Sequence, residues 1–150
     1  MFTRRGDSFM AWWCILLPFV AWWVSGSLKF FVNFLRAGGS LAEARRLVGY
    51  GGFPSTHTAT LSSTVFFVGF TLGFDTPFFV LGLGTLIILI MDAHNLRRKV
   101  GQHAAAINEL RQAVGIKAPP LRERMGHSYP EIAGGLAVGA ALGWAAACLA

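Results

Sequence analysis

Gly51-Gly52-Phe53-Pro54-Ser55-Thr56-His57, followed by an uncharged run from Thr58 to Phe74, is the stretch on which the fold turns. Its glycines let the backbone come close to a ligand. Pro54 suits the first turn of a helix, where its missing N–H costs nothing. Free N–H groups at such a helix start, with Gly52 before them and the hydroxyls of Ser55 and Thr56 beside them, would form a cradle for an anion. His57 would then stand next to the anion with a proton to give or take. The same residues also fit a capped helix start with a surface histidine, and the rest of the chain has to decide between the two.

The flanking composition is that of a membrane protein. Of 150 residues, 54% are hydrophobic and only 13% are charged, against about 25% charged in ordinary soluble domains. Phe9 to Leu28 carries no charge and has tryptophans towards both ends, at Trp12, Trp13, Trp22 and Trp23. About 20 apolar residues cross a bilayer, with aromatic residues at its interfaces. The run exceeds the roughly 7–15 apolar residues of a signal peptide, so no cleavage is expected. Residues 58–74 and 78–91 form an apolar pair joined by the turn Asp75-Thr76-Pro77, and Ile132 to Ala150 is a last apolar run. The expectation is an all-α integral membrane bundle, one domain over residues 1–150, with about four transmembrane helices. A polar amphipathic helix lies between the third and fourth, its apolar stripe formed by Leu96, Val100, His103, Ile107, Leu110 and Val114. Cys14 and Cys148 lie in apolar runs and read as small buried hydrophobes. Gly135, Gly139 and Gly143 let another helix approach closely, either within the monomer or in a homodimer.

The net charge of +6 is distributed unevenly. With four spans, the segments 36–57 and 92–131 share one side and hold Arg36, Arg45, Arg46, Arg97, Arg98, Lys99 and further basic residues, against Arg4 and Arg5 on the other. The positive-inside rule puts the loaded side in the cytoplasm. No basic soluble domain remains once the apolar runs are removed, so nucleic acid is not an expected partner. The charge suits membrane lipids and an anionic substrate instead.

Polar residues of unusual type converge on that side. Lys29 sits between apolar segments, where a charge is costly and marks either function or snorkelling to the interface. Arg36 follows two helical turns later on nearly the same face. Gly126-His127-Ser128-Tyr129-Pro130-Glu131 repeats the opening pattern of turn, histidine, proline and helix start. Glu131, four residues after His127, is placed to accept the second ring N–H and hold the tautomer. Two histidines, a lysine and arginines, with no carboxylate cluster to hold a metal, suit phosphoryl transfer without metal or cofactor. Cations and N–H groups would take up the charge, one histidine would attack phosphorus, and the other would protonate the leaving oxygen.

With these residues in place the chain resembles the divergent branch of the type 2 phosphatidic acid phosphatase superfamily, which is related to the vanadium-dependent haloperoxidases. Lys29-x6-Arg36 is similar to the first superfamily motif without its trailing proline. Pro54-Ser55-Thr56-His57 resembles the second, with Thr56 for glycine, and His127-x3-Glu131 the third, with Glu for Asp. The wording of the divergent branch fits more closely: Gly-Gly-x-Pro-Ser-x-His at 51–57, Asp92-Ala93 followed by Arg97-Arg98 and Gly101, then Asn108, Gly126-His127 and Glu131. His94, Asn95 and His103 depart from it. The likeness runs from about Lys29 to Gly143.

The resemblance implies a metal-independent lipid phosphatase, expected in a bacterial inner membrane, and the charge asymmetry puts its working face in the cytoplasm. It implies His127 as nucleophile, His57 as general acid and then base, and Glu131 as the group orienting His127. Lys29, Gly52, Ser55, Thr56, Arg97 and Arg98 would hold the phosphate. Arg36, Asp92, Asn108, Arg122 and Arg124 are further candidates, the last two as alternatives for the third-motif arginine. The substrate would be a lipid phosphate or diphosphate of the phosphatidate, phosphatidylglycerol phosphate or polyprenyl phosphate type. The same cradle would also serve a non-catalytic binder or transporter of phosphorylated lipid.

Overall fold

A computed structural model describes residues 5–48 and 52–150. Arg4 and Gly51 lie outside the described residues, as do the side chains of Arg5, Trp12, Trp13, Cys14 and Arg46. Helix α1 spans Arg5–Arg36 and contains Pro18. It buries small and polar residues at every fourth position, Ala21, Ser25, Lys29 and Asn33, while Phe19, Trp22, Trp23, Phe31 and Leu35 are exposed. In water such an outward apolar surface would cost about 25 cal/mol per Å², so this inverted pattern belongs to a helix whose outer face meets lipid. The helix ends at Gly38 and Gly39, both at positive φ. Ser40 then accepts the Glu43 N–H at 3.4 Å and opens the short helix α2, Leu41–Val48.

Helix α3, Thr56–Leu72, is the centre of the bundle. It makes its most extensive contact with α6, Tyr129–Leu149, and is flanked by α1 and α4. Glycines set the α3–α6 distance. A Cβ on Gly135 would lie 2.6 Å from the Ser55 carbonyl oxygen, and one on Gly143 2.6 Å from that of Ser63. The glycine stripe of α6 is thus occupied within the monomer, and a homodimer would have to use another face.

Helix α4, Pro77–Met91, begins with Thr76 accepting the Phe79 N–H at 3.3 Å. It does not stop at Asp92. A π-helical turn over Asp92–Leu96, in which the Arg97 N–H donates to the Asp92 carbonyl, carries it into α5, Arg97–Ala113. The polar helix expected as a separate element is therefore the continuation of the third apolar run. Its faces are also reversed from the soluble-protein expectation. Leu96, Val100, Ile107, Leu110 and Val114 are exposed, and Gly101 and Ala104 are buried. The buried face is covered by the returning segment 119–125. The Asn108 amide donates to the Leu121 carbonyl and to Glu123 Oε1, both at 2.8 Å, and accepts from the Leu121 N–H at 2.8 Å. A Cβ on Gly101 would meet the Glu123 carbonyl.

The described residues form helices and connecting turns without a strand. Ile15–Arg36, Pro77–Ala113 and Tyr129–Leu149 are long and apolar enough to cross a membrane, as befits a multi-pass membrane protein. The expected run at 58–74 forms α3, which at 17 residues is shorter than each of these three and is not among them. It buries Thr58, Ser62 and Ser63 against its neighbours.

Candidate active site

Four helix ends meet at one end of the bundle: the last turns of α1, the start of α3, the π-helical turn after α4, and the start of α6. Two of them are helix N-termini, whose unpaired N–H groups favour an anion. Their sequences explain the local geometry. Ser55 caps α3, Pro54 precedes it after a cis Phe53–Pro54 bond, and Gly52 has φ +108°. Ser128 caps α6, with Pro130 in its first turn and Glu131 completing a capping box. Gly126, at φ +86°, is packed so tightly that a Cβ would lie 2.8 Å from Arg98 Cγ and 3.1 Å from the Ala93 carbonyl.

Glu131 joins the two helix starts. Its Oε1 accepts the Gly52 N–H at 3.1 Å, and its backbone carbonyl accepts the Ser55 N–H at 2.8 Å. Its Oε2 accepts the Ser128 N–H at 3.0 Å and lies 3.1 Å from His127 Nδ1. With Nδ1–H directed to the carboxylate, Nε2 carries the free lone pair. His127 is 6% exposed. Its N–H donates to the Ala93 carbonyl at 2.9 Å, and its own carbonyl lies 3.0 Å from His94 Nδ1. The His94 ring stacks on Tyr129 with centroids 4.0 Å apart. Burial is the main reason the His127 imidazole titrates below its ordinary value. The Glu131 hydrogen bond opposes that shift, and the positive charges of Lys29 and Arg97 add to it. His127 is thereby kept neutral at pH 7.

His57 faces it with ring centroids 6.3 Å apart and planes tilted by 60°. Lys29 is 8% exposed and forms no ion pair among the described residues. The fields of Lys29 and Arg97 act on both histidines. Arg97 is itself aimed by Asp92, with Nε 2.9 Å from Oδ2. An open groove of about 880 Å³ runs from this point between α1 and α3. Lys29, Thr56 and His57 line its polar end, and Trp22, Phe30 and Leu61 its apolar length. On the other side of His127, a second cavity of about 460 Å³ is lined by Arg98, Arg124 and Tyr129 among others.

Not every residue singled out by the sequence reaches this cluster. Ser55 is fully buried, and its hydroxyl accepts the Thr58 N–H at 3.4 Å and the Thr58 hydroxyl at 2.9 Å. It is held in the helix cap rather than open to a phosphate. The N–H groups of Gly52 and Ser55 are likewise taken by Glu131, so the cradle's remaining backbone donors are those of Thr56 and His57. Asn108 staples the 119–125 segment to α5, and Arg122 Nε donates to the Arg124 carbonyl at 3.3 Å. Arg36 is exposed at the end of α1. Two further residues of this region were not marked as functional by the motifs. His94 looked only like a departure from a family pattern, and Asn33, buried one turn after Lys29, sat in an apolar run. The i, i+4 spacing of Asn33 from Lys29 was the available signal.

The fold and the site define a helical membrane protein with a paired-histidine, cation-lined centre at a helix-end junction. The model of the Divergent PAP2 family matches residues 12–142, and the chain belongs to that family. This places it in a phosphatase-related superfamily. Searches of curated proteins and of solved structures returned no match.

Proposed function

We infer that the protein is a membrane phosphatase that hydrolyses a lipid phosphate or diphosphate through a phosphohistidine, without a metal ion. The observation that carries this is the neutral, carboxylate-held His127 standing 6.3 Å from His57 where an apolar groove ends in Lys29. Family membership supports the same class of chemistry. The lipid chain lies in the groove between α1 and α3, open to the membrane, and its phosphate enters the junction of helix ends.

The chemistry follows from the geometry. His127 Nε2 attacks phosphorus while the bond to the lipid oxygen breaks. His57, protonated beside the anionic substrate, gives its proton to that oxygen, so the lipid leaves as a neutral alcohol, or as a monophosphate when the substrate is a diphosphate. Glu131 holds the Nδ1–H and stabilises the positive charge that the ring acquires. Lys29, Arg97 and the N–H groups of Thr56 and His57 balance charge on the phosphoryl oxygens. His57, now neutral, takes a proton from water. The water oxygen bonds to phosphorus, the N–P bond breaks, and inorganic phosphate is released with His127 restored. The excess of basic residues in segments 36–57 and 92–131 supports a cytoplasmic position for this centre.

The test is phosphate release from a panel of lipid phosphates in detergent with EDTA present, for the wild type and His127→Asn. Release that survives EDTA and is lost in the variant is the expected result. Retention of lipid phosphate with no release from any member of the panel would make the protein a binder or transporter instead.

A further inference from the structure

Asn33 is a polar side chain in this region that the reaction above does not use. It continues the buried stripe of α1 one turn beyond Lys29 and is 4% exposed. Its Nδ2 is buried and has no hydrogen-bond partner, the sole side-chain nitrogen or oxygen in that state among the described residues. Buried donors without an acceptor are rare in folded proteins and call for an explanation. A leucine of similar size would fill the same place without an unmet donor, so packing does not explain an amide here.

Its surroundings suggest the missing acceptor. A Cβ on Gly52 would lie 3.5 Å from Asn33 Oδ1, 3.8 Å from Nδ2 and 3.8 Å from Lys29 Cγ. Asn33 and Lys29 therefore sit side by side under the glycine whose N–H is tied to Glu131, and Glu131 holds His127. The donor lies one turn after a buried lysine that has no ion pair among the described residues, beside Gly52 on the approach to the α3 N-terminus. What fits both is an oxygen atom carrying negative charge.

We propose that the side-chain amide of Asn33 donates to an oxygen of the substrate's phosphate group, alongside Lys29, and so sets the affinity of the site for phosphate. The proposal rests on the phosphatase reading only for what happens after binding. Gly52 is required by its backbone, at φ +108°; a Cβ there would make only ordinary contact with the Asn33–Lys29 pair.

The experiment compares wild type, Asn33→Leu and Asn33→Asp in detergent. It measures Kd for short-chain phosphatidate and for inorganic phosphate, KM and kcat for phosphatidate, and Tm without ligand. Loss of one hydrogen bond to a charged group should weaken binding of both ligands about 10- to 100-fold in Asn33→Leu. KM should rise in parallel, kcat should change little, and Tm should change little because Nδ2 has no internal partner to lose. Asn33→Asp keeps the size but turns a donor into an anion, and should weaken binding further. Unchanged Kd values in either folded variant would overturn the proposal, as would a lowered Tm with affinity intact, which would make Asn33 a packing residue. Weakening for phosphatidate alone would move the contact to the ester or glycerol and also overturn it. If wild type binds phosphatidate without turning it over, the phosphatase reading falls while the Kd comparison still decides the role of Asn33. A wild type that binds neither ligand sinks both.

Discussion

The helix starts at 52–57 and 126–131 are alike in sequence, each with a glycine turn, a proline, a serine cap and a histidine, yet they hold their histidines differently. His127 is buried and fixed through Glu131, its own N–H and its own carbonyl. His57 is exposed at the polar end of the groove, and its ring has no hydrogen bond among the described residues. The order of residues accounts for the difference. His127 precedes its serine cap and lies outside the helix, within reach of a first-turn carboxylate on α6. His57 follows its cap and lies inside the helix, where α3 has no acidic residue in its first turn. A nucleophile needs one fixed orientation and a free lone pair. A group that first gives and then takes a proton needs access to a leaving oxygen and to water.

Removing the fixed histidine should have the largest effect. His127→Asn is expected to lower kcat/KM by at least about 1,000-fold with the circular dichroism spectrum intact; residual turnover close to wild type would undo the assignment of roles. His57→Asn should cost about 100- to 10,000-fold. The loss should be smaller for substrates with a good leaving group, such as an aryl phosphate, because these need less protonation. Equal loss on both substrates would mean that His57 is not the acid.

Glu131→Gln should reduce kcat about 10- to 100-fold, as for other groups that orient a working histidine. It should also shift the acid limb of the pH–rate profile. In the wild type His127 titrates below its ordinary value, so the neutral nucleophile persists and activity should fall only as the pH drops below the usual histidine range of about 6.5. In the variant, loss of the hydrogen bond and charge that favour the imidazolium should move that limb further towards acid. A shift towards neutral pH would show that Glu131 does not act on this ring. The same sign governs stability. Because the folded state resists protonating His127, the site is unpenalised above the ordinary histidine pKa and loses stability as the pH falls through it.

The smallest effect should come from the contact that keeps the two helix starts together. A Cβ on Gly139 would collide with the Ser62 hydroxyl and lie 2.8 Å from both Ala59 O and Ser63 N. Gly139→Ala should therefore destabilise the bundle by about 1–3 kcal/mol, read as a lower Tm in detergent. An unchanged Tm would mean that α3 and α6 do not pack at this distance.

Much of the site was legible in the chain because its residues are chemically out of place: a lysine within an apolar run, and histidines beside Gly/Pro turns at the edges of others. Glu131 was legible as a partner of His127 from their spacing. Its grip on Gly52, 79 residues away, was not, since no local pattern encodes a contact across helices. Ser55 read as a phosphate ligand because a serine at a helix start fits that role as well as it fits a cap; only its burial distinguishes the two. The α5 stripe was legible, but not that it faces outward, against the rule for proteins in water. That rule has no force where the outer surroundings are apolar and the small polar face is the one that packs.

The amino-acid sequence by itself determined that the chain is helical and membrane-embedded, that α3 and α6 start at Gly, Pro and Ser signals, and which residue types are available for chemistry. These follow from local backbone preferences and from the free energy of moving side chains out of water. Only the tertiary structure decided that α4 runs on through a π-helical turn into α5, that the glycines of α6 are filled by α3, that one carboxylate ties both histidine turns together, and that Asn33 is left with an unmet donor. These are properties of distances between residues far apart in the chain, and they exist only once the helices have packed.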